Sequence, residues 1–365
     1  MGIMNDLLGP SAVAQLRTSL AGAADQPVWP ALEEAGGRLE PLALRARAGL
    51  LATALMEDLN GGYERAAAVF RSTLADDGFT GWILWPVGEA AVTLALQDGS
   101  QRAFDDALAL LAELTPRMSS EFAIRRLLIQ DLDRALDAIR GWTAHPDEHV
   151  RRLASEGTRP YLPWAVRVPG IVARPAATLP ILDDLYLDES ETVRRSVANH
   201  LNDLSRHDAA ETVATAERWR KASGDRAAWV TRHGLRTLVK KADPDALATL
   251  GFSSGAVAVS APQLDHSVVR LPGELGFAVE LRNDAAEPAR VALDYVVHYV
   301  KANGSLAPKV FKLAVADLAP GEVRRFRKKH GFRQMTTRVH YAGRHSVQVQ
   351  ANGTLSPHAG FDVLL

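Results

Sequence analysis

At 365 residues, 47% of them hydrophobic, the chain is long enough for two domains that each bury a core of their own. It carries 42 Lys+Arg against 43 Asp+Glu, so affinity for a nucleic acid has to come from a local basic face and not from net charge. It has no cysteine, which excludes disulfides, thiolate zinc sites and cysteine-ligated iron-sulfur clusters. The opening MGIMNDLLGPSAVAQL lacks a basic segment followed by a long apolar one, and no run of about 18 apolar residues occurs, so the expectation is a cytoplasmic protein without a membrane role.

Through Leu250 apolar residues recur at helical spacing, as in LALRARAGLLATALMEDL and RAFDDALALLAELTPR. HPDEHVRRLASEGTRPYLPW (145–164) aligns with DESETVRRSVANHLNDLSR (188–206), with Val150 and Val193 43 residues apart, and GDRAAWVTRHGLRTLVKKA places Val230 a further 37 on. These are the spacings of HEAT-like helix pairs, which bury their apolar faces only against their neighbours. An all-α, HEAT-like solenoid is therefore predicted over residues 1–250. Asp147 and Glu148, then Ser190 and Glu191, stand where a helix start leaves amides free. A valine and one or two arginines follow: Arg151 and Arg152, Arg194 and Arg195, and Arg232. Stacked repeats align equivalent positions, which predicts an arginine stripe able to track a phosphate backbone. The same arginines equally suit salt bridges to the acidic caps of a neighbouring repeat.

GFSSG at 251–255 reads as a linker. Its letters fit a GxSxG nucleophile elbow at Ser253, but it leaves a helix and enters the strand-like AVAVS, the reverse of the strand-to-helix turn that motif needs. Beyond it LGFAVELRN, RVALDYVVHYV, KVFKLAVADL, EVRRFRKKH and HSVQVQANG alternate in character between turn signals such as Asn303-Gly304 and Pro320-Gly321. They predict an immunoglobulin-like, antiparallel β-sandwich over residues 256–365. Residues 253–365 hold 14 Lys+Arg against 9 Asp+Glu, whereas the rest of the chain holds 28 against 34. The excess gathers in VRRFRKKHGFR. On a strand Arg325, Arg327 and Lys329 share one face, leaving Arg324 and Lys328 on the other with Phe326, so the first three are the candidates for DNA contact. The alternative is a passive or protein-docking appendage.

Eleven histidines include no HExxH and no H-x-E…PCxxC pattern, and no GxGxxG or GxxxxGK[ST] loop follows a predicted strand. No metal and no cofactor is expected.

LTPRMSSEFAIRRLL (114–128), WTAHPDEHVRRLASEGTRPYLPWA (142–165) and ETVRRSVANHLNDLSR (191–206) resemble the signature stretches of the AlkC/AlkD superfamily of bacterial DNA alkylation-repair glycosylases. The AlkC branch is the nearest, and some of its members add an immunoglobulin-like domain after the helical repeats. The resemblance implies a monomeric, monofunctional glycosylase that hydrolyses the N-glycosidic bond of cationic bases of the 3-methyladenine and 3-methylcytosine type in duplex DNA. Such a base leaves readily, so the demand falls on the sugar, where carboxylates stabilise the growing positive charge and orient water. Glu121, Glu156 and Asp203 lie in the matching segments and take that role by resemblance, with Trp164 walling the site. Arg152, Arg159, Arg194, Arg195 and Arg232 are the corresponding DNA-binding candidates. Each residue has a plainer reading: Arg152 and Glu156 as an i,i+4 surface pair, Asp203 closing a helix, Glu121 in a first turn, Trp164 in packing like Trp82, Trp85, Trp142, Trp219 and Trp229. The alternative for the whole chain is a non-catalytic HEAT-like scaffold that binds DNA or another protein.

Overall fold

The periodic apolar residues of the first half fold into successive helices whose buried faces are those the pattern marks. Helix Gln101–Leu114 buries Phe104, Ala107, Leu108, Leu111 and Leu114, and Ser100 caps it by accepting from the Ala103 amide at 3.1 Å. The computed structural model describes residues 2–24, 28–222, 224–252, 257–333 and 339–365. It divides into one unit of Met1–Thr212 with Arg218–Gly234 and a second of Val213–Glu217 with Leu235–Leu365. Of the GFSSG link, Ser253 and the residues up to Ala256 lie outside the described residues.

In the first unit the aligned repeats are helices Glu148–Glu156, Glu191–Leu204 and Asp225–Gly234, each packed on the next. Val150, Val193 and Val230 are all fully buried in them. Asp147 caps its helix through the His149 amide at 2.7 Å. Ser190 does not cap: its hydroxyl donates to Glu148 of the preceding repeat, while Asp188 accepts its amide at 2.8 Å. Arg151, the inner member of its pair, is buried and forked onto Asp188 at 2.7 and 3.1 Å, the salt-bridge role that its position allowed.

Among the described residues the second unit holds the short helices Arg236–Lys240 and Pro244–Thr249 and ten strands: β1 (Val257–Val259), β2 (Gln263–Leu264), β3 (Val268–Arg270), β4 (Gly273–Asn283), β5 (Ala289–Val300), β6 (Leu306–Leu318), β7 (Val323–Phe332), β8 (Gly343–Ala351), β9 (Thr354–Leu355) and β10 (Ala359–Leu364). One sheet joins β1, β2 and β7 to β4; the other runs β3-β10-β8-β5-β6, with β9 on β8. The five predicted strands are β4 to β8. Pro308 is tolerated because β6 is an edge strand. The sandwich is mixed and not purely antiparallel, since β10 pairs with β3 in parallel. Those two strands lie at opposite ends of the domain sequence, so no tight hairpin dictates their direction. Phe277, Tyr295, Phe332, Val347 and Phe361 form the core between the sheets. Along β7 Arg325, Arg327 and Lys329 are exposed, whereas Phe326 packs against that core and Phe332 lies within it.

Candidate active site

Four segments of the helical unit meet at one cleft: the short helix Gly81–Ile83, the turn at 119–123, helix Glu148–Glu156 and the loop that follows it, with helix Glu191–Leu204 packed against helix Glu148–Glu156. The cleft encloses about 420 Å³, and Trp82, Glu121, Phe122, Arg152, Glu156 and Trp164 are among the residues that line it. Gly157 opens the loop at a crowded point, where a Cβ would lie 3.0 Å from both Ile124 Cγ2 and the Leu153 carbonyl and its neighbours would have to give by a few tenths of an ångström. Arg125 then ties the loop down. Fully buried, it donates to the carbonyls of Gly157 (3.0 Å), Arg159 (2.8 Å) and Val166. Burial first, and the Arg159 charge second, bring its pKa down to about 10, which leaves it cationic at neutral pH.

Three carboxylates and two guanidiniums alternate in series. Glu121 accepts from Ser119 Oγ and from Arg152 Nη1, both at 2.8 Å. Arg152 Nη2 lies 3.7 Å from Glu156 Oε1, so the i,i+4 pair exists, but inside the cleft wall and not in solvent. Arg159 closes the series, reaching Glu156 Oε1 at 2.7 Å and Asp203 Oδ2 at 2.9 Å. Glu156 and Asp203 are only 6% and 3% exposed. Carboxylates that dry need matched cations and hydrogen bonds, and Ser196 Oγ adds a bond of 2.6 Å to Glu156 Oε2. Burial works against the Arg159 charge, yet Glu156 and Asp203 outweigh it and hold the guanidinium above its usual range. Asp203 stands behind Arg159 and is not among the residues lining the cleft.

His200 supports this layer from below. Its Nδ1 faces the Ser155 carbonyl at 3.0 Å and its Nε2 the Thr178 hydroxyl at 3.1 Å. A carbonyl only accepts, so Nδ1 carries the proton. Burial, and then the Arg159 charge, push the imidazole down to about 3, so it is neutral in the folded protein.

Trp164 sits differently from every other tryptophan. Its backbone is left-handed at φ 63°, its side chain is 55% exposed, and its carbonyl accepts from Arg45 Nη1 at 3.0 Å. Non-glycine residues occupy that region at a cost, and an exposed indole returns no burial energy for it; such conformations gather at functional sites.

Comparison with known proteins sets this geometry in context. The chain is 34% identical over 324 residues, 88% of each sequence, to the Bacillus subtilis (strain 168) protein described as "Uncharacterized protein YhaZ". It also superposes on the Pseudomonas fluorescens alkylpurine DNA glycosylase AlkC, solved bound to DNA containing an abasic site analog, with a TM-score of 0.87, 29% identity and 100% of both chains covered. The chain belongs to the AlkC family. Residues 258–365 match the family described as "Uncharacterised protein YhaZ, C-terminal Ig-like domain", the β-sandwich of this AlkC-family chain.

Not all the candidate residues of this AlkC-family member come together. Glu121, Glu156, Asp203, Trp164, Arg152 and Arg159 do, but the two arginines spend their donors on the carboxylates. Arg194 and Arg232 line a second recess with Arg226 and Trp229. Arg194 Nη1 caps the Asp188 and Glu189 carbonyls, and Arg195 is exposed and paired with Glu191 one turn away. Arg325, Arg327 and Lys329 belong to the other unit, where Arg325 reaches Gln263 at 2.9 Å and Lys329 stands 3.8 Å from Glu274. Sequence reasoning missed Trp82, which it assigned to packing and which instead lines the cleft with its ring 6.4 Å from that of Trp164. It also missed Arg125 and Ser196. Ser196 had a signal: it occupies the position that Leu153 holds in the preceding repeat, a polar residue where the pattern calls for core. Among the described residues no cluster of His, Asp and Glu could hold a metal, and no helix is long and apolar enough to cross a membrane.

Proposed function

We propose that this chain is a monofunctional DNA glycosylase that removes cationic N-methylated bases, of the 3-methyladenine and 3-methylcytosine type, from duplex DNA. The observation that carries the reading is the series Glu121–Arg152–Glu156–Arg159 along a cleft that the exposed Trp164 also lines, with Asp203 holding Arg159 from behind. A family member that superposes over its whole length is an alkylpurine DNA glycosylase bound to DNA containing an abasic site analog, and an abasic site is what such a reaction leaves.

The chemistry follows from charge. The C1′–N bond breaks, its electron pair neutralises the cationic base, and positive charge passes to the sugar. The carboxylates oppose that charge without having to reorganise, because the arginines already hold them in place. Water adds to C1′ and yields its proton to a carboxylate or to solvent, leaving free base and an abasic site. Arg152 and Arg159 therefore serve by holding the carboxylates aligned. Phosphate contact falls to Arg194, Arg195 and Arg232 of the helical domain, residues 1–250, and to Arg325, Arg327 and Lys329 of the sandwich, residues 256–365.

The test is single-turnover release of free base from duplexes containing 3-methylcytosine or 3-methyladenine. Glu156→Gln and Asp203→Asn should lower the rate by about 100-fold or more while binding persists. Near-normal release by both variants overturns the assignment. Wild-type protein that binds the duplex and releases no base points to the non-catalytic scaffold.

A further inference from the structure

Structural arginines around the cleft have partners: Arg151 has Asp188, Arg152 has Glu121, Arg159 has Glu156 and Asp203, and Arg125 and Arg45 have backbone carbonyls. Arg206 and Arg167, beside the cleft, have neither kind among the described residues. The Arg206 guanidinium carbon lies 4.6 Å from the centre of the Tyr161 ring and that of Arg167 lies 5.2 Å from it. His207 stacks on the same ring at 5.4 Å with an interplanar angle of 6°. Arg167, Arg206 and His207 are exposed, and among the described residues neither arginine has a carboxylate partner. The nearby Asp208 is occupied at the start of the next helix, where it accepts the Glu211 amide at 2.9 Å. A guanidinium held against a ring face keeps its in-plane N–H groups free, which suits a phosphate oxygen.

The position of this stack says which phosphate. Tyr161 lies in the loop between Arg159 and Trp164, and Arg206 follows Asp203 by three residues. The Arg159 guanidinium that grips Asp203 also reaches the Tyr161 carbonyl at 3.4 Å. A nucleotide whose sugar faces the carboxylates has its own phosphodiesters as the anions nearest to this stack. We propose that Arg167 and Arg206, gathered on Tyr161 with His207, grip the DNA backbone phosphate that flanks the lesion sugar. The choice of phosphate rests on the glycosylase reading; the grip itself rests on the unpaired guanidiniums.

The experiment is a fluorescence-anisotropy titration of a short lesion-free duplex at a series of salt concentrations. Loss of one phosphate contact lowers the slope of log affinity against log salt by about 0.9, so between about 50 and 200 mM salt the wild-type advantage over Arg167→Gln/Arg206→Gln should shrink about 3.5-fold. Tyr161→Leu keeps both charges but removes their platform and should weaken binding about fivefold at an almost unchanged slope, whereas Tyr161→Phe should bind as wild type does. Arg38→Gln, which removes one exposed charge paired with Glu34, is the control for charge alone and should leave the slope as it is. A double variant with the wild-type slope overturns the proposal. A reduced slope in a protein that releases no methylated base retains the grip and overturns the glycosylase reading instead.

Discussion

Arg159→Met keeps most of the apolar stem of the side chain and removes the guanidinium shared by Glu156 and Asp203, its charge and its hydrogen bonds together. The three side chains are 11%, 8% and 5% exposed, so water cannot replace the lost partner. Removing one member of a buried ion pair costs about 3–5 kcal/mol, most of it from the charge left behind. Glu156 still has Ser196 and, at 3.7 Å, Arg152, so the two losses do not simply add. We expect about 4 kcal/mol, close to a 1,000-fold change in the local opening equilibrium. The two units need not unfold together, so the suitable assay is hydrogen exchange of peptides from helices Glu148–Glu156 and Glu191–Leu204. The salt slope of DNA binding should not change, since the Arg159 donors are taken by Glu156, Asp203 and the Tyr161 carbonyl. A cost below about 1 kcal/mol would refute the claim that Arg159 compensates these buried charges.

Trp164→Ala removes an exposed ring and should shift stability by less than about 0.5 kcal/mol while slowing base release more than tenfold in single-turnover assays. Arg151→Ala should do the opposite: it breaks the buried Asp188 pair, costs about 3 kcal/mol in a urea titration, and leaves excision per folded molecule near normal. His200 gives a pH signature. Its folded pKa of about 3 lies below the unfolded value of 6.5, so its contribution is complete above 6.5 and is lost as pH falls toward 3. The loss amounts to about 1.4 kcal/mol per pH unit, and stability measured between pH 6.5 and 4 should fall less steeply in His200→Gln than in the wild type.

The sequence by itself determined what local periodicity reports. A helix or strand records in its own pattern which face it buries, because neighbours at i+4 or i+2 share a side whatever packs against them. That is why the register of Val150, Val193 and Val230, the common side of Arg152 and Glu156, and the outward row of Arg325, Arg327 and Lys329 were all legible before any fold. Only the tertiary structure decided which charges meet. Arg159 finds Asp203 across 44 residues and Arg152 finds Glu121 across 31, contacts set by how helices stack and invisible to any window along the chain. The same arginines were expected at phosphates because an arginine beside a cleft has one sequence signature and two possible partners. In the structure both arginines meet carboxylates, and the burial of Glu156 and Asp203 explains it, for a dry carboxylate needs a matched cation. Trp164 was named by resemblance alone. Its left-handed backbone and the Arg45 bond to its carbonyl, from 119 residues away, are features of the closed fold that no spacing encodes.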